Sequence, residues 1–192
     1  MSLFLEQLEQ WEVLARALPA VADAVDQASQ RLVDCLQDGG KVLTCGNGCS
    51  ACDAMHLAEE LVGRFRTDRR ALPAICLCAD ATYLTCAAND FGFDAVFERA
   101  VEALARPEDV LVGFSTSGAS PNVLRAFDAA RRLGAFSIGL LGRDGGPARD
   151  RCDLPIIVPE LTRMARVQEA HTLILHTWCE AIEQRFGVKA TE

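Results

Sequence analysis

The 192-residue sequence contains no uninterrupted apolar run of about eighteen residues, so no segment is expected to span a membrane. Positive charge is also short: 19 Lys and Arg stand against 27 Asp and Glu, for a formal net charge of −8. That balance repels a phosphate backbone and argues against nucleic-acid binding as the main task. A small anion can still bind, because a local nest of N–H groups outweighs a diffuse global field. The first residues, Met1-Ser2-Leu3-Phe4-Leu5-Glu6, lack the basic start and apolar core of a secretory signal. No internal repeat, low-complexity stretch or dividing linker is present. Histidine is scarce, with three in the chain.

Half of the residues are hydrophobic and 24% are charged, which allows a substantial core. The mean hydropathy of +0.12 leaves apolar surface that subunit contacts explain better than lipid. A homo-oligomer is therefore expected. The nine cysteines are an odd number scattered through apparent strands and helices. Such usage suits a reducing cytosol, where free Cys is a small buried hydrophobe, and predicts a cytoplasmic location.

Residues 2–18 carry apolar positions at helical spacing, and Pro19 closes the stretch. A second helical pattern runs from Val21 to Leu36 and stops at Asp38-Gly39-Gly40. With no strand before them, these helices are expected to form a hairpin over residues 1–38. From Lys41 the pattern changes. Short apolar runs at Val42–Cys45, Ala74–Cys78, Val110–Phe114, Ser137–Leu141 and Pro155–Pro159 read as buried strands. Helices read at about Ala51–Arg66, Asp94–Leu104, Pro121 to near Gly134, and Arg163–Phe186. Five short strands alternating with helices predict an α/β fold, a Rossmann-like doubly wound five-stranded parallel sheet flanked by helices. Residues 1–192 read as one domain, with the α/β core and C-terminal helix over 41–187.

Two loops follow a strand and open a helix, where free N–H groups and a positive partial charge meet an anion. In one, Ser115, Thr116, Ser117 and Ser120 crowd hydroxyls around Gly118, a composition suited to phosphate; the alternative is an ordinary polar loop with an N-cap. The other, Gly46-Asn47-Gly48, lacks G-x-G-x-x-G, with Ala51 at the third position, and lacks a P-loop Lys. No nucleotide cofactor is expected. Just past that loop His56 and Glu60 share one helix face at i, i+4, while Gln168 and His176 on the last helix are spaced i, i+8. A carboxylate and an imidazole can divide the base and acid roles of aldose–ketose isomerisation. The competing reading is a solvated helix face with a stray histidine. His171 has no comparable context and reads as a packing or surface residue.

Four stretches in this order make the pattern specific: Gly46 to Leu61, Ala88-Asn89-Asp90-Phe91-Gly92-Phe93, Ser115 to Ser120, and Arg166-Val167-Gln168-Glu169-Ala170-His171. Together they resemble the phosphoheptose (sedoheptulose-7-phosphate) isomerases of the sugar isomerase (SIS) domain superfamily. The resemblance implies a cytoplasmic homotetramer that makes D-glycero-D-manno-heptose 7-phosphate for surface polysaccharide. It implies Glu60 as base, His176 as acid, and a zinc ion held by His56, Glu60, Gln168 and His176. It also implies substrate contacts at Asn47, Gly48, Cys49, Glu60, Asn89, Asp90, Ser115, Thr116, Ser117, Ser120 and Gln168. Cys49, Ala51 and Ala165 depart from residues usual in the family. A non-catalytic relative that regulates a partner protein, or an isomerase of another sugar phosphate, is the alternative; the pair Glu60 and His176 favours an enzyme.

Helix geometry adds an expectation about assembly. Gln168 and His176 are about 12 Å apart along their helix axis, whereas zinc bonds are about 2 Å long. Some of the four residues are therefore expected from a neighbouring copy, with active sites at subunit boundaries. Cys49-x-x-Cys52 invites a redox or zinc reading, but the loop is already accounted for. Arg64, Arg66, Arg69 and Arg70 read as a solvated turn.

Overall fold

The computed structural model describes residues 2–159 and 163–187; the outermost parts of the expected 1–192 domain lie outside them. α1 (Leu3–Ala17) starts at Ser2, whose hydroxyl accepts the Leu5 N–H. A helical turn at Leu18–Val21, entered at Pro19, leads into α2 (Ala22–Gln37). The two helices differ in what they bury. α1 sinks only Leu14, while α2 lays a stripe from Val25 to Leu36 against the core. Then come β1 (Val42–Gly46), α3 (Cys49–Val62), β2 (Ala74–Cys76), α4 (Ala81–Phe91), α5 (Val96–Leu104), β3 (Val110–Ser115), α6 (Pro121–Leu133), β4 (Phe136–Leu141), β5 (Leu154–Ile157) and α7 (Met164–Phe186).

All strand pairs are parallel, in the order β2-β1-β3-β4-β5. β1 and β3 are buried at every residue, as continuous apolar strands between two helical layers must be. One layer packs α2, α3 and α7 on the sheet around Trp178, whose indole N–H donates to the Val25 carbonyl at 3.3 Å. The other packs α5 and α6 around Phe97 and Phe127. The chain reverses its winding between β1 and β3, so the crevice beyond Gly46 and Ser115 is the topological switch point where ligands collect in such sheets.

Several boundaries differ from expectation. The helix expected over 51–66 starts at Cys49 and ends at Val62, because Gly63, whose N–H makes the last helical bond to the Glu59 carbonyl, turns out of the helical region at ψ −111°. The following arginines are not simply a solvated turn. Arg64 pairs with Asp68 at the surface, but the Arg69 guanidinium donates to the carbonyls of Glu60 and Leu61 and so holds the end of α3. Arg66 reaches Glu180 on α7 at 2.7 Å. The second strand stops at Cys76 rather than Cys78, since the chain turns there. α4 was not expected at all. Asp80 caps it by accepting the Tyr83 N–H, and Gly92 at φ +82° ends it.

Candidate active site

α3 and α7 pack side by side and bring three of the expected residues together. His56 Nε2 lies 3.2 Å from Glu60 Oε1 and 3.4 Å from His176 Nε2. The ligand atoms of His56, Glu60 and His176 all lie within 4.8 Å of one another, the only such His/Cys/Asp/Glu group among the described residues. The imidazoles meet edge to face, 4.9 Å between centroids at 83°, and Phe65 covers the other side of His176 at 5.6 Å. All three side chains are half-buried. His176 opens on a groove of about 890 Å³ between α2 and α7.

One chain brings this trio together by itself, whereas the rise argument concerned Gln168 and His176, and Gln168 is not in the trio. Gln168 sits half-buried two turns before His176, its carbonyl accepting from Thr172 Oγ1 at 3.3 Å. Thr172 also donates to Asp53 Oδ1 at 3.1 Å. Asp53, one turn before His56, is buried, and burial raises its carboxyl above the usual carboxylate range. The Asp53–Thr172 contact ties α3 to α7 between Gln168 and His176. Sequence reasoning missed it, since an acid inside a helix reads as surface.

At the switch point the two loops are joined. Asn47 and Asn122 exchange side-chain hydrogen bonds, 2.9 Å in each direction, so Asn47 faces Asn122 rather than open solvent. Asn122 is buried and was not singled out in the sequence. Gly48 adopts φ +58° and leads into Cys49, which is exposed at the first turn of α3.

In the second loop Ser115 Oγ accepts the Gly118 N–H at 3.1 Å and Ser117 Oγ accepts the Ala119 N–H at 3.2 Å. Each bond uses the hydroxyl oxygen as acceptor and leaves its hydrogen free to donate to an anion. Ser120 begins α6 without capping it, its Oγ turned 3.5 Å from Ser115 Oγ. Ser115 is buried and shapes the loop, whereas Thr116, Ser117 and Ser120 are half-exposed. Gly118 is indispensable there. At φ +60°, a Cβ would lie 1.9 Å from the Gly145 carbonyl oxygen.

Asn89 and Asp90 are exposed at the end of α4 and bond to each other at 2.8 Å. His171, expected in packing or at the surface, is wholly buried, with Nε2 3.3 Å from the Leu141 carbonyl. A carboxylate between two imidazoles can move protons or hold a metal, and a hydroxyl loop on a helix N-terminus can hold a phosphate.

A family model described as SIS domain matches residues 7–142. The phosphoheptose isomerase of Pelobacter propionicus is 51% identical over 174 residues, covering 91% of this chain and 90% of that protein. That of Trichlorobacter lovleyi is 45% identical, covering 100% of this chain and 98% of the relative. The solved phosphoheptose isomerase of Neisseria gonorrhoeae superposes with a TM-score of 0.88 at 38% identity, covering 94% of this chain and 97% of that one.

Proposed function

We infer the activity from membership: this chain belongs to the phosphoheptose isomerase family of SIS-domain proteins. It is an aldose–ketose isomerase that interconverts sedoheptulose 7-phosphate and D-glycero-D-manno-heptose 7-phosphate. The observation that carries the chemistry is the meeting of Glu60 with His56 and His176 on facing helices.

In our reading Glu60 is the base. It takes a proton from C1 of the ketose and returns it to C2, passing through an enediol. His176 gives a proton to the carbonyl oxygen at C2 and takes one from the hydroxyl at C1. Its Nε2 does both in turn while off the metal, giving a proton as imidazolium and taking one back as neutral imidazole. Phe65 packed on the His176 ring limits its rotation and keeps that nitrogen on the His56–Glu60 side. The hydrogens of Ser117, Ser120 and Thr116 hold the phosphate, with the α6 N-terminus behind them. Asn47, Gly48, Cys49, Asn89, Asp90, Ser115 and Gln168 are assigned to the substrate as well, with Asn47 and Ser115 acting mainly by shaping their loops.

We assign a zinc ion to His56, Glu60, His176 and Gln168. The donor set suits it. Tetrahedral ligands about 2 Å from zinc lie roughly 3.3 Å from each other, and two of the observed separations are 3.2 and 3.4 Å. Two imidazole nitrogens facing each other also need a shared proton or a cation between them. When bound, zinc polarises the substrate oxygens.

The proposed assembly is a homotetramer with active sites at subunit boundaries. Glu60 lies twelve residues beyond Gly48, about 18 Å along α3. A seven-carbon chain with its phosphate spans roughly 10 Å. That mismatch favours a site whose loops and proton-transferring side chains come from different copies. Apolar residues of α1, with Leu3 and Phe4 about 70% exposed, offer surface for the contact. A cytoplasmic role supplying heptose units for surface polysaccharide fits this product. The test is solvent-deuterium incorporation at the isomerising carbons across a panel of ketose phosphates. Sedoheptulose 7-phosphate should be labelled fastest, and a preference for a shorter sugar would reject the assignment.

A further inference from the structure

Asn47 and Asn122 hold each other across the switch point, and the backbone beside them fixes which way each amide faces. Asn122 is the second residue of α6 and is 1% exposed. Its Oδ1 accepts the Val123 N–H at 3.0 Å, one of the donors that a helix start leaves unpaired. Only the oxygen of an amide can accept that hydrogen, so the orientation of Asn122 is settled. The same oxygen accepts from Asn47 Nδ2, and Asn122 Nδ2 donates to Asn47 Oδ1, at 2.9 Å each. Asn47 is anchored in turn by its own carbonyl, which accepts the Ser50 N–H at 3.0 Å in the first turn of α3. On the half-buried Asn47 amide the pair leaves one N–H and one lone pair unspent. The ring thus links the starts of α3 and α6, the two helices that the ligand loops open.

We propose that Asn122 is a positioning residue for the isomerase: it sets the Asn47 amide in one orientation and ties the first ligand loop to the hydroxyl loop, so that the phosphorylated sugar meets both at a fixed spacing. The inference rests on the sugar-phosphate reading of these loops. An aspartate in place of Asn122 shows why an amide is needed. A carboxylate has no hydrogen to give, so whichever way the Asn47 amide turns, one oxygen meets another. A buried acceptor set against an acceptor is costly enough to weaken binding across the loops about tenfold or more. Once protonated, the same carboxyl has an O–H and closes the ring again. Burial and the facing oxygen raise its protonation above the ordinary value of about 3.9.

The test follows conversion of sedoheptulose 7-phosphate by Asn122→Asp, Asn122→Ala and the unsubstituted protein between about pH 8 and about pH 5. At the alkaline end Asn122→Asp should raise KM about tenfold or more, with kcat within about threefold, since Glu60 and His176 are untouched. Its KM relative to the unsubstituted protein should fall toward parity at the acid end, whereas the ratio for Asn122→Ala stays constant. Taking ratios cancels the protonation of the substrate phosphate. A lowered kcat at unchanged KM is the mark of a smaller folded fraction and overturns the proposal, as does an Asn122→Asp ratio that does not move with pH. Should Asn122→Asp fail to fold, Asn47→Asp sets the same oxygens against each other and must show the same acid rescue. An unsubstituted protein without turnover on this sugar rejects the sugar assignment alone; the ratios are then read as dissociation constants for inorganic phosphate, with the same outcomes deciding.

Discussion

His171 anchors the helix that carries Gln168 and His176, and its burial makes the fold sensitive to acid. Its Nε2 donates to the Leu141 carbonyl, and its ring sits 6.4 Å from Phe114. Because that nitrogen carries the proton, Nδ1 must stay bare, and it has no hydrogen-bond partner. Protonating it would put a charge in apolar surroundings, so burial pulls the imidazole from 6.5 down to about 4. As pH falls, the unfolded chain takes up this proton first, while the folded chain resists. The associated stability is present above about pH 6.5 and is lost as pH falls toward 4. A gap of roughly 2.5 units at about 1.36 kcal/mol each makes about 3 kcal/mol. His171→Gln keeps an amide donor but does not titrate. Urea unfolding of both proteins, at one fixed concentration, should give a stability difference that is constant above pH 7. Below that pH the unsubstituted protein should lose about 3 kcal/mol relative to the variant by pH 4. A difference that stays flat across this range refutes the account of a neutral buried imidazole.

Glu60→Gln and His176→Asn should each lower turnover by roughly two to four decades while the thermal transition changes little. Near-normal turnover in either folded variant would reject the acid–base assignment. Dialysis against a chelator should abolish activity and zinc should restore it; calorimetry should show His56→Ala binding zinc at least tenfold more weakly. Equal zinc affinity in that variant would move the metal elsewhere. Subunit sharing predicts complementation: mixed oligomers of Glu60→Gln with a Ser117→Ala, Ser120→Ala double variant should regain activity, because some sites then draw an intact loop and an intact Glu60 from different chains. Hybrids that form but stay inactive would place loop and trio of each site in the same chain.

The sheet was legible because β1 and β3 are uninterrupted apolar runs, and only a strand buried on both faces needs that composition. α4 escaped notice for the opposite reason. Ala87 is its one buried residue, so its sequence carries no apolar stripe to reveal a period. The available signal was at its ends, in Asp80 as N-cap and Gly92 as stop. At the site the same contrast holds. His56 and Glu60 could be paired from spacing alone, since i, i+4 places side chains on one helix face in any fold. His176 could be added only by resemblance, because its approach to His56 depends on how α7 lies on α3. That docking rests on residues whose types do not advertise it: Asp53 bonded to Thr172, and Glu183 accepting the N–H groups of Arg66 and Thr67 at 3.1 Å each. The same blindness hid Asn122, a residue that suits any exposed first turn yet here lies buried against Asn47. Local periodicity thus discloses the pairs that one helix makes with itself. The side chains that fix one helix or loop against another are polar, isolated in sequence and visible only once the elements are packed, as Asp53, Thr172 and Asn122 are here.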